Sequence, residues 1–388
     1  MRLLFISDFT EQFSYRLLKG ILKYSQDSGE PWVVCKMPSS YKRQFGLRQA
    51  VTLAEAWNVD VVIGQFEPDD DLSLFQRKGM VVLAQDYITK FSTVPNITAD
   101  YHSMGAMAAE VFLSRGFRSF AYFGNNGMCW SDERRDGFRR RLEDAGYGKD
   151  LYIYDKERGN NLWYFDLVWL QDWLEALPRP VGIMACDDNQ ASILVEACRS
   201  MGIRIPFDVA IIGVDNDEVV CGMADPAITS IDVDIERGGY EAAEMAERMV
   251  RDPAFKGHDI VLRPLAVITR TSTNVMATGD RAVQAALQFI NDNMDHKILV
   301  SDILEVVPMS RRLLEKRFLK ATGMSIHQYI TQLKVNRFAQ LLLSSKDSIA
   351  DITARMDEQD PKRLARSFTA LKGCTPADYR RRKMQKNA

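Results

Sequence analysis

From Met1 to about Thr273, short apolar and β-branched runs alternate with amphipathic stretches of helical length, the pattern of βαβ units built around parallel sheets. Strands are predicted at Leu3 to Ile6, Trp32 to Cys35, Val61 to Gly64, Val81 to Leu83, Ser119 to Phe123, Tyr152 to Tyr154, Gly182 to Cys186 and Val209 to Gly213, with a further strand-like run at Leu265 to Arg270. Helices fall between them, among them His102 to Arg115, Asp188 to Met201 and Ile235 to Val250. So many strands suit two lobes, each burying its own sheet, better than one small sheet. Ligands of open α/β sheets sit beyond the carboxyl ends of the strands, so two facing lobes would enclose one cleft there.

Past Asn274 the pattern changes. Residues 275–280, with Gly279 as a turn residue, read as a linker between a domain at 1–274 and another at 281–388. Residues 281–380 show only helical periodicity, as in Ala282, Ala286, Phe289 and Ile290, or Leu333, Phe338, Leu341 and Leu342. The predicted architecture is a two-lobed α/β domain followed by an all-α domain with two similar helix-turn-helix halves.

Charge separates the same two parts. The formal net charge is -2, yet residues 280–388 carry 20 Lys and Arg against 12 Asp and Glu, while 30 stand against 40 before them. A basic tail of this kind fits a polyanionic partner. The six cysteines (Cys35, Cys129, Cys186, Cys198, Cys221, Cys374) form no C-x-x-C pair, as in a reducing compartment. Leu3 to Ile6 is too short for a signal peptide, and no apolar run approaches the ~20 residues of a membrane helix. A cytoplasmic protein without a membrane partner is expected.

Little points to catalysis. The histidines His102, His258, His296 and His327 are far apart and form no H-E-x-x-H, so no metal is expected. Asp232, Asp234 and Glu236 read as a strand running into a helix with exposed acids. There is no G-x-G-x-x-G, no Walker lysine loop and no G-x-S-x-G elbow, so neither a cofactor nor an enzyme is expected.

The tail contains Val300-Ser301-Asp302-Ile303-Leu304, a turn, then Ser310-Arg311-Arg312-Leu313-Leu314-Glu315-Lys316-Arg317-Phe318, followed by Gly323 and a long helix from His327 to Leu343. Its second half repeats this as Ser348-Ile349-Ala350-Asp351-Ile352, a turn, Asp360-Pro361-Lys362-Arg363-Leu364-Ala365-Arg366-Ser367-Phe368, and Gly373-Cys374-Thr375-Pro376-Ala377-Asp378-Tyr379-Arg380. Leu314 and Phe318 lie at i, i+4 and can pack, leaving the charged faces free. Ser310 and Asp360 are good N-caps, and Pro361 suits a first helical position. These motifs resemble the AraC/XylS family over roughly a hundred residues. The resemblance implies double-stranded promoter DNA as partner. Arg311, Arg312, Glu315 and Lys316 on the first recognition helix, and Lys362, Arg363 and Arg366 on the second, would then meet bases and phosphates. Two departures from the family stand in the turns: Pro308 where Gly is usual, and Met356-Asp357-Glu358 where Gly followed by Phe is usual. The acidic second turn places more of the expected affinity on the first unit.

The front domain, from Arg2 to Asn274, resembles the sugar-sensing core of the LacI/GalR family and the periplasmic binding proteins. The segments that carry this are Gly116-Phe117-Arg118-Ser119-Phe120-Ala121, Arg134-x-x-Gly137-Phe138, Ala185-Cys186-Asp187-Asp188-Asn189-Gln190-Ala191, Ile212-Gly213-Val214-Asp215-Asn216 and Thr269-Arg270-Thr271-Ser272-Thr273. Asp187 stands where the family has Asn. The resemblance implies a small sugar ligand, a pentose such as xylose, together with a homodimer, a role as activator and contact with RNA polymerase. Asp215, Arg134, Asp187 and Asp188 fall at or just beyond strand ends, and carboxylates paired with an arginine fork suit sugar hydroxyls. Trp130 offers an apolar platform, and Asp8, Ser14 and Tyr15 follow the first strand on the opposite wall. Alternative roles remain open here: Asp188 as the N-cap of the helix after it, Arg134 paired with Asp132 or Glu133, and Trp130 as core. Two rival classes share the two-lobed core. A solute-binding protein is opposed by the basic tail, and a sugar-processing enzyme using Asp187 and Asp188 has no nucleophile or cofactor loop beside them.

Overall fold

A computed structural model describes residues 1–147, 151–154, 167–278, 280–294, 296–344, 347–356 and 360–386. Gly279, in the expected linker, and Asp357 and Glu358, in the expected acidic turn, lie outside the described residues. The chain divides into two units, Met1–Asn274 and Val275–Ala388.

The first unit begins with β1 (Arg2–Ser7), α1 (Gln12–Asp27), β2 (Val33–Pro38), α2 (Ser39–Phe45), α3 (Leu47–Ala56), β3 (Val61–Gln65), α4 (Ser73–Gln76), β4 (Val81–Gln85) and β5 (Asn96–Ala99). It continues with α5 (Tyr101–Ser114), β6 (Phe120–Phe123), α6 (Cys129–Asp144), β7 (Leu151–Tyr154), α7 (Leu167–Ala176), β8 (Val181–Ala185), α8 (Asp188–Ser200), β9 (Val209–Val214), α9 (Glu218–Met223) and β10 (Thr229–Val233). It ends with α10 (Ile235–Arg251), β11 (Ile260–Leu262) and β12 (Pro264–Ile268).

Two six-stranded sheets result, in the orders β11-β5-β4-β3-β1-β2 and β12-β10-β9-β8-β6-β7. The same order in each makes the lobes structural repeats of one another. Pairing is parallel except for β12 against β10. Strands β3, β8 and β9 are buried at every residue, as expected of parallel strands covered on both faces, and this is why their sequences read as unbroken apolar runs. One core gathers Leu4, Val62, Phe66, Phe75 and Val82, the other Phe123, Leu170, Ile183, Val195 and Ile211. The strand read through Asp232 is β10, whereas the sequence reading missed β5 and β11, which are four and three residues long, β5 including the buried polar residues Asn96 and Thr98. The run at Leu265 to Arg270 begins earlier and stops at Ile268.

The chain crosses between lobes three times, at Asp100, Asp234 and Arg263. The crossings are laced together by Asp100 N–H donating to Leu262 O at 2.9 Å and Asp234 N–H to Arg263 O at 3.0 Å. Asp232, one residue before the end of β10, pairs with Arg16 at 3.2 Å, and among the described residues no group of His, Cys, Asp or Glu is placed to hold a metal ion. Helices α5 and α6 meet backbone to backbone. A Cβ on Gly137 would lie 2.2 Å from His102 O, and one on Gly105 2.2 Å from Arg134 O, so both positions require glycine. That contact sets the height at which Arg134 leaves α6.

The second unit contains α11 (Arg281–Asp292), α12 (Val300–Val306), α13 (Arg311–Thr322), α14 (Ile326–Ser344), α15 (Ile349–Arg355), α16 (Pro361–Lys372) and α17 (Pro376–Lys386). Pairs α12–α13 and α15–α16 are the two helix-turn-helix units, joined by α14. Leu314 and Phe318 are buried, as are Leu364 and Phe368 at the matching positions of α16. Phe318 packs edge-on against Tyr329, and Phe368 against Phe338. Ser310 accepts from Leu313 N–H and Asp360 from Arg363 N–H, and both helices end on a left-handed glycine, Gly323 and Gly373. No helix among the described residues is long and apolar enough to cross a membrane.

Candidate functional site

The carboxyl ends of the two sheets face a cleft of about 690 Å³, partly continuous with solvent, and both lobes line it. The second lobe contributes Trp130, Arg134, Asp187, Asp188, Asn189, Val214, Asp215 and Asp217. Five of these are sequence-predicted site residues, brought together from the starts of α6 and α8 and the end of β9.

Arg134 is the organising cation. It is 3% exposed, donates through Nη2 to Asp215 Oδ1 at 3.0 Å and through Nη1 to Cys186 O, and lies over the rings of Tyr101 and Trp130 at 5.3 and 5.2 Å. Its alternative partners are engaged elsewhere, Asp132 with Arg135 and Glu133 with Lys90. Burial alone would lower the pKa of the guanidinium, but the Asp215 carboxylate, with Tyr101 and Tyr122, more than offsets this, so Arg134 stays charged. Its Nε is buried without a hydrogen-bond partner.

Asp215 is fixed at three points. Its N–H donates to Ile231 O at 2.9 Å, its carbonyl accepts from Arg16 Nη1 at 2.8 Å, and its carboxylate accepts from Arg134. Its φ of 94° lies in the left-handed region, strained for a residue other than glycine and tolerated best by Asp and Asn. Arg270, in the closing motif of the domain, braces the turn by donating to Asn216 Oδ1 at 2.7 Å.

The two adjacent aspartates divide their work differently from the sequence expectation. Asp187, not Asp188, is the N-cap of α8, accepting from Gln190 N–H at 2.7 Å. Asp188 is the first helical residue, 3% exposed, and accepts from Asp217 N–H at 2.7 Å, tying α8 to the loop after β9. Burial pushes the Asp188 carboxyl up, with bonds from Ser230, Asp217 and Cys221 pulling it partly back.

On the first lobe the structure corrects the reading. The lining residues there are Glu11, Gln12, Phe13, Gln65, Gln85, Asp86 and Tyr87, with Tyr101 beside them at the start of α5 just past the crossing, and not Asp8, Ser14 or Tyr15. Ser14 is buried and donates to Asp8 O at 2.6 Å, closing the β1–α1 loop. Tyr15 is exposed and packs on Phe9, and Asp8 accepts from Thr10. On α1, Ser14 and Tyr15 therefore turn away, while residues one to three places earlier face the cleft. Gln65, Gln85 and Asp86 end or follow β3 and β4, so the strand-end rule applied to the second lobe finds them too. Asp86 accepts from Thr98 Oγ1 at 2.5 Å and Tyr101 Oη at 2.7 Å, and burial outweighs these bonds to raise its pKa to about 6. The Glu11 carboxyl is pushed up to about 8, first by burial, then by Asp187, Asp8 and Asp215, against a smaller opposing pull from Arg134.

Among the described lining residues, six carboxyl groups thus face one cation, already paired. Gln12 adds a buried Oε1 without a hydrogen-bond partner. Such a lining suits hydroxyl groups, which donate to carboxylates and accept from arginine and amides.

The predicted DNA-facing residues sit on exposed faces of the second unit. Arg311, Arg312, Glu315 and Lys316 are exposed on α13, with Arg311 and Glu315 paired at 2.9 Å, and Lys362, Arg363 and Arg366 are exposed on α16, where Arg363 meets His327 Nε2.

Two family profiles match the chain, a periplasmic binding protein-like domain over residues 109–273 and a helix-turn-helix domain over residues 303–382. The chain is an AraC-type DNA-binding transcription regulator whose first domain has the periplasmic-binding-protein fold. Its curated relatives are regulators too. The xylose operon regulatory protein of Escherichia coli is 26% identical over 98% of this chain and 96% of its own length. That of Haemophilus influenzae is 28% identical over 76% and 78%. A solved structure described as a xylose-binding transcription activator superposes with a TM-score of 0.71 at 26% identity, covering 98% of this chain and 97% of the other.

Proposed function

We propose that the chain is a cytoplasmic, sugar-responsive transcription regulator that binds an unphosphorylated pentose, xylose in the first place, in the cleft between its lobes. The observation that carries this is the end-to-end match to xylose operon regulators, through sensor and DNA-binding parts alike. The cleft supports the chemistry: Arg134, Asp215, Asp187 and Asp188 contact the hydroxyls, Trp130 covers an apolar ring face, and Glu11, Gln12 and Asp86 close from the first lobe. A phosphate dianion would meet a surplus of carboxylates there, which favours the free sugar. Residues 1–274 form the sensor, 275–280 the linker and 281–388 the DNA-binding domain. The regulator works as a homodimer that activates transcription in contact with RNA polymerase, with Arg311, Arg312, Glu315 and Lys316 of α13, and Lys362, Arg363 and Arg366 of α16, meeting the operator. A sugar changes DNA occupancy only through its differential affinity for the closed sensor.

The test is thermal and calorimetric titration of the full chain with a panel of free and phosphorylated monosaccharides. Xylose at a hundred times its Kd is expected to stabilise the sensor by about 2.7 kcal/mol. Asp215→Asn keeps the left-handed backbone, since Asn tolerates it, and removes the carboxylate. It is expected to fold normally and to lose roughly tenfold or more in affinity, the worth of one charge-assisted bond of about 1.5 to 3 kcal/mol. Unchanged affinity in that variant would show the site to be elsewhere.

A further inference from the structure

The two recognition helices can be aligned residue for residue from their caps. Ser310 and Asp360 each receive the backbone N–H three residues on, from Leu313 and Arg363. The buried pairs Leu314 with Leu364 and Phe318 with Phe368, and the left-handed Gly323 and Gly373, fall into the same register. In that alignment Leu313 occupies the place where the second helix carries Arg363. It is 41% exposed, in the first turn of α13, directly after exposed Arg312 and one turn before exposed Lys316.

A single exposed leucine is ordinary on a protein surface. This one stands in the turn from which a recognition helix reaches base edges, flanked by cations that draw that turn against a duplex. In the major groove the only apolar group a base pair presents is the thymine 5-methyl, so an apolar side chain placed there has one partner of matching chemistry. Arg363, at the matching place in α16, has the fork that suits guanine O6 and N7 instead. Resting on the DNA-binding reading of α13, we propose that Leu313 is a specificity-determining residue that recognises a thymine methyl in the half-site of the first helix-turn-helix unit. The operator then consists of two half-sites that differ in sequence, not of two copies of one.

The test uses the full chain and duplexes selected by it from a random pool. Each thymine of a selected operator is replaced singly by deoxyuridine, which removes the methyl and keeps every hydrogen bond, and Kd is measured for wild type and Leu313→Ala. Wild type is expected to lose about four-fold at one position of the α13 half-site, the factor corresponding to about 0.8 kcal/mol for one buried methyl group. Leu313→Ala is expected to bind the parent operator about as weakly and to show no further loss at that position. Its buried neighbours Leu314 and Phe318 are untouched, and the wild-type scan needs no variant at all. A flat deoxyuridine scan, or a penalty that Leu313→Ala retains in full, overturns the assignment; that second outcome would mean another side chain reads the methyl. A chain that selects no duplex would instead fail the DNA-binding reading itself.

Discussion

Replacing Glu11 by Gln should make the sensor more stable at alkaline pH and leave it nearly unchanged at acidic pH. Glu11 precedes the first turn of α1 and is held in the cleft, where burial first, and the surrounding carboxylates after it, raise its pKa from 4.5 to about 8. The folded protein therefore keeps a proton on Glu11 over a range where the unfolded chain has released it. Stability from this group is fully present below the unfolded pKa of 4.5, falls as pH rises towards about 8, and is constant beyond. At about 1.4 kcal/mol per pH unit, that interval sets a ceiling of about 5 kcal/mol. Water entering the open side of the cleft and relaxation of the side chain reduce the expected difference to about 2 to 3 kcal/mol. Gln cannot ionise and keeps the shape, so it escapes this loss. All six tryptophans lie before residue 274, so tryptophan fluorescence follows the unfolding of the sensor separately from the tail. Urea titrations of both proteins without sugar, near pH 5 and near pH 9, give the two differences needed. Asp86 and Asp188 also carry raised values, but they are present in both proteins and cancel. A stability difference that does not change with pH, or a Gln variant less stable than wild type near pH 9, would refute the placement of a half-buried carboxyl among acids.

Gly137→Ala places a methyl 2.2 Å from His102 O, so α5 and α6 must part; a loss of about 1 to 3 kcal/mol in urea unfolding is expected, with weaker sugar binding because Arg134 moves with α6. In the tail, Lys316→Ala and Arg312→Ala separate two roles in binding measured against salt and operator variants. A side chain on phosphate lowers the salt slope by about one and weakens all sequences alike, whereas one on a base costs about 1 to 3 kcal/mol at a single position. A variant that changes neither quantity would place its side chain off the duplex.

The order and type of the longer elements were legible because parallel strands buried on both faces leave unbroken apolar runs. The tail was legible because its caps, glycines and Leu–Phe pairs repeat. The short strand β5 was not, since tertiary pairing holds its buried polar residues Asn96 and Thr98 in extended form. In the site, Arg134, Asp187, Asp188 and Asp215 could be read from strand ends, but not the exchange of capping between Asp187 and Asp188, which depends on where α8 starts by a single residue. The first-lobe wall was misread because α1 rotates by about 100° per residue, so the reading that chose Ser14 and Tyr15 over Glu11, Gln12 and Phe13 selected the wrong side of the helix. Arg16 holding the Asp215 carbonyl has no local signal, since the two residues are far apart in sequence and meet only when α1 packs beside β10.

The three crossings between lobes also govern how the chain is made. The first sheet needs β11 beside β5, yet β11 leaves the ribosome only after all of the second sheet except its edge strand β12 has been synthesised. At roughly 5 to 20 residues per second, that delay is on the order of ten seconds. Throughout it, the nascent first lobe carries Asn96–Ala99 as an open sheet edge, and Asn96 lacks Asp259, whose carboxylate later accepts from both its N–H and its side-chain amide. An unpaired edge invites pairing with another nascent chain, so the polysome stage is where this regulator is most exposed to aggregation, and slower translation through the second lobe lengthens that exposure.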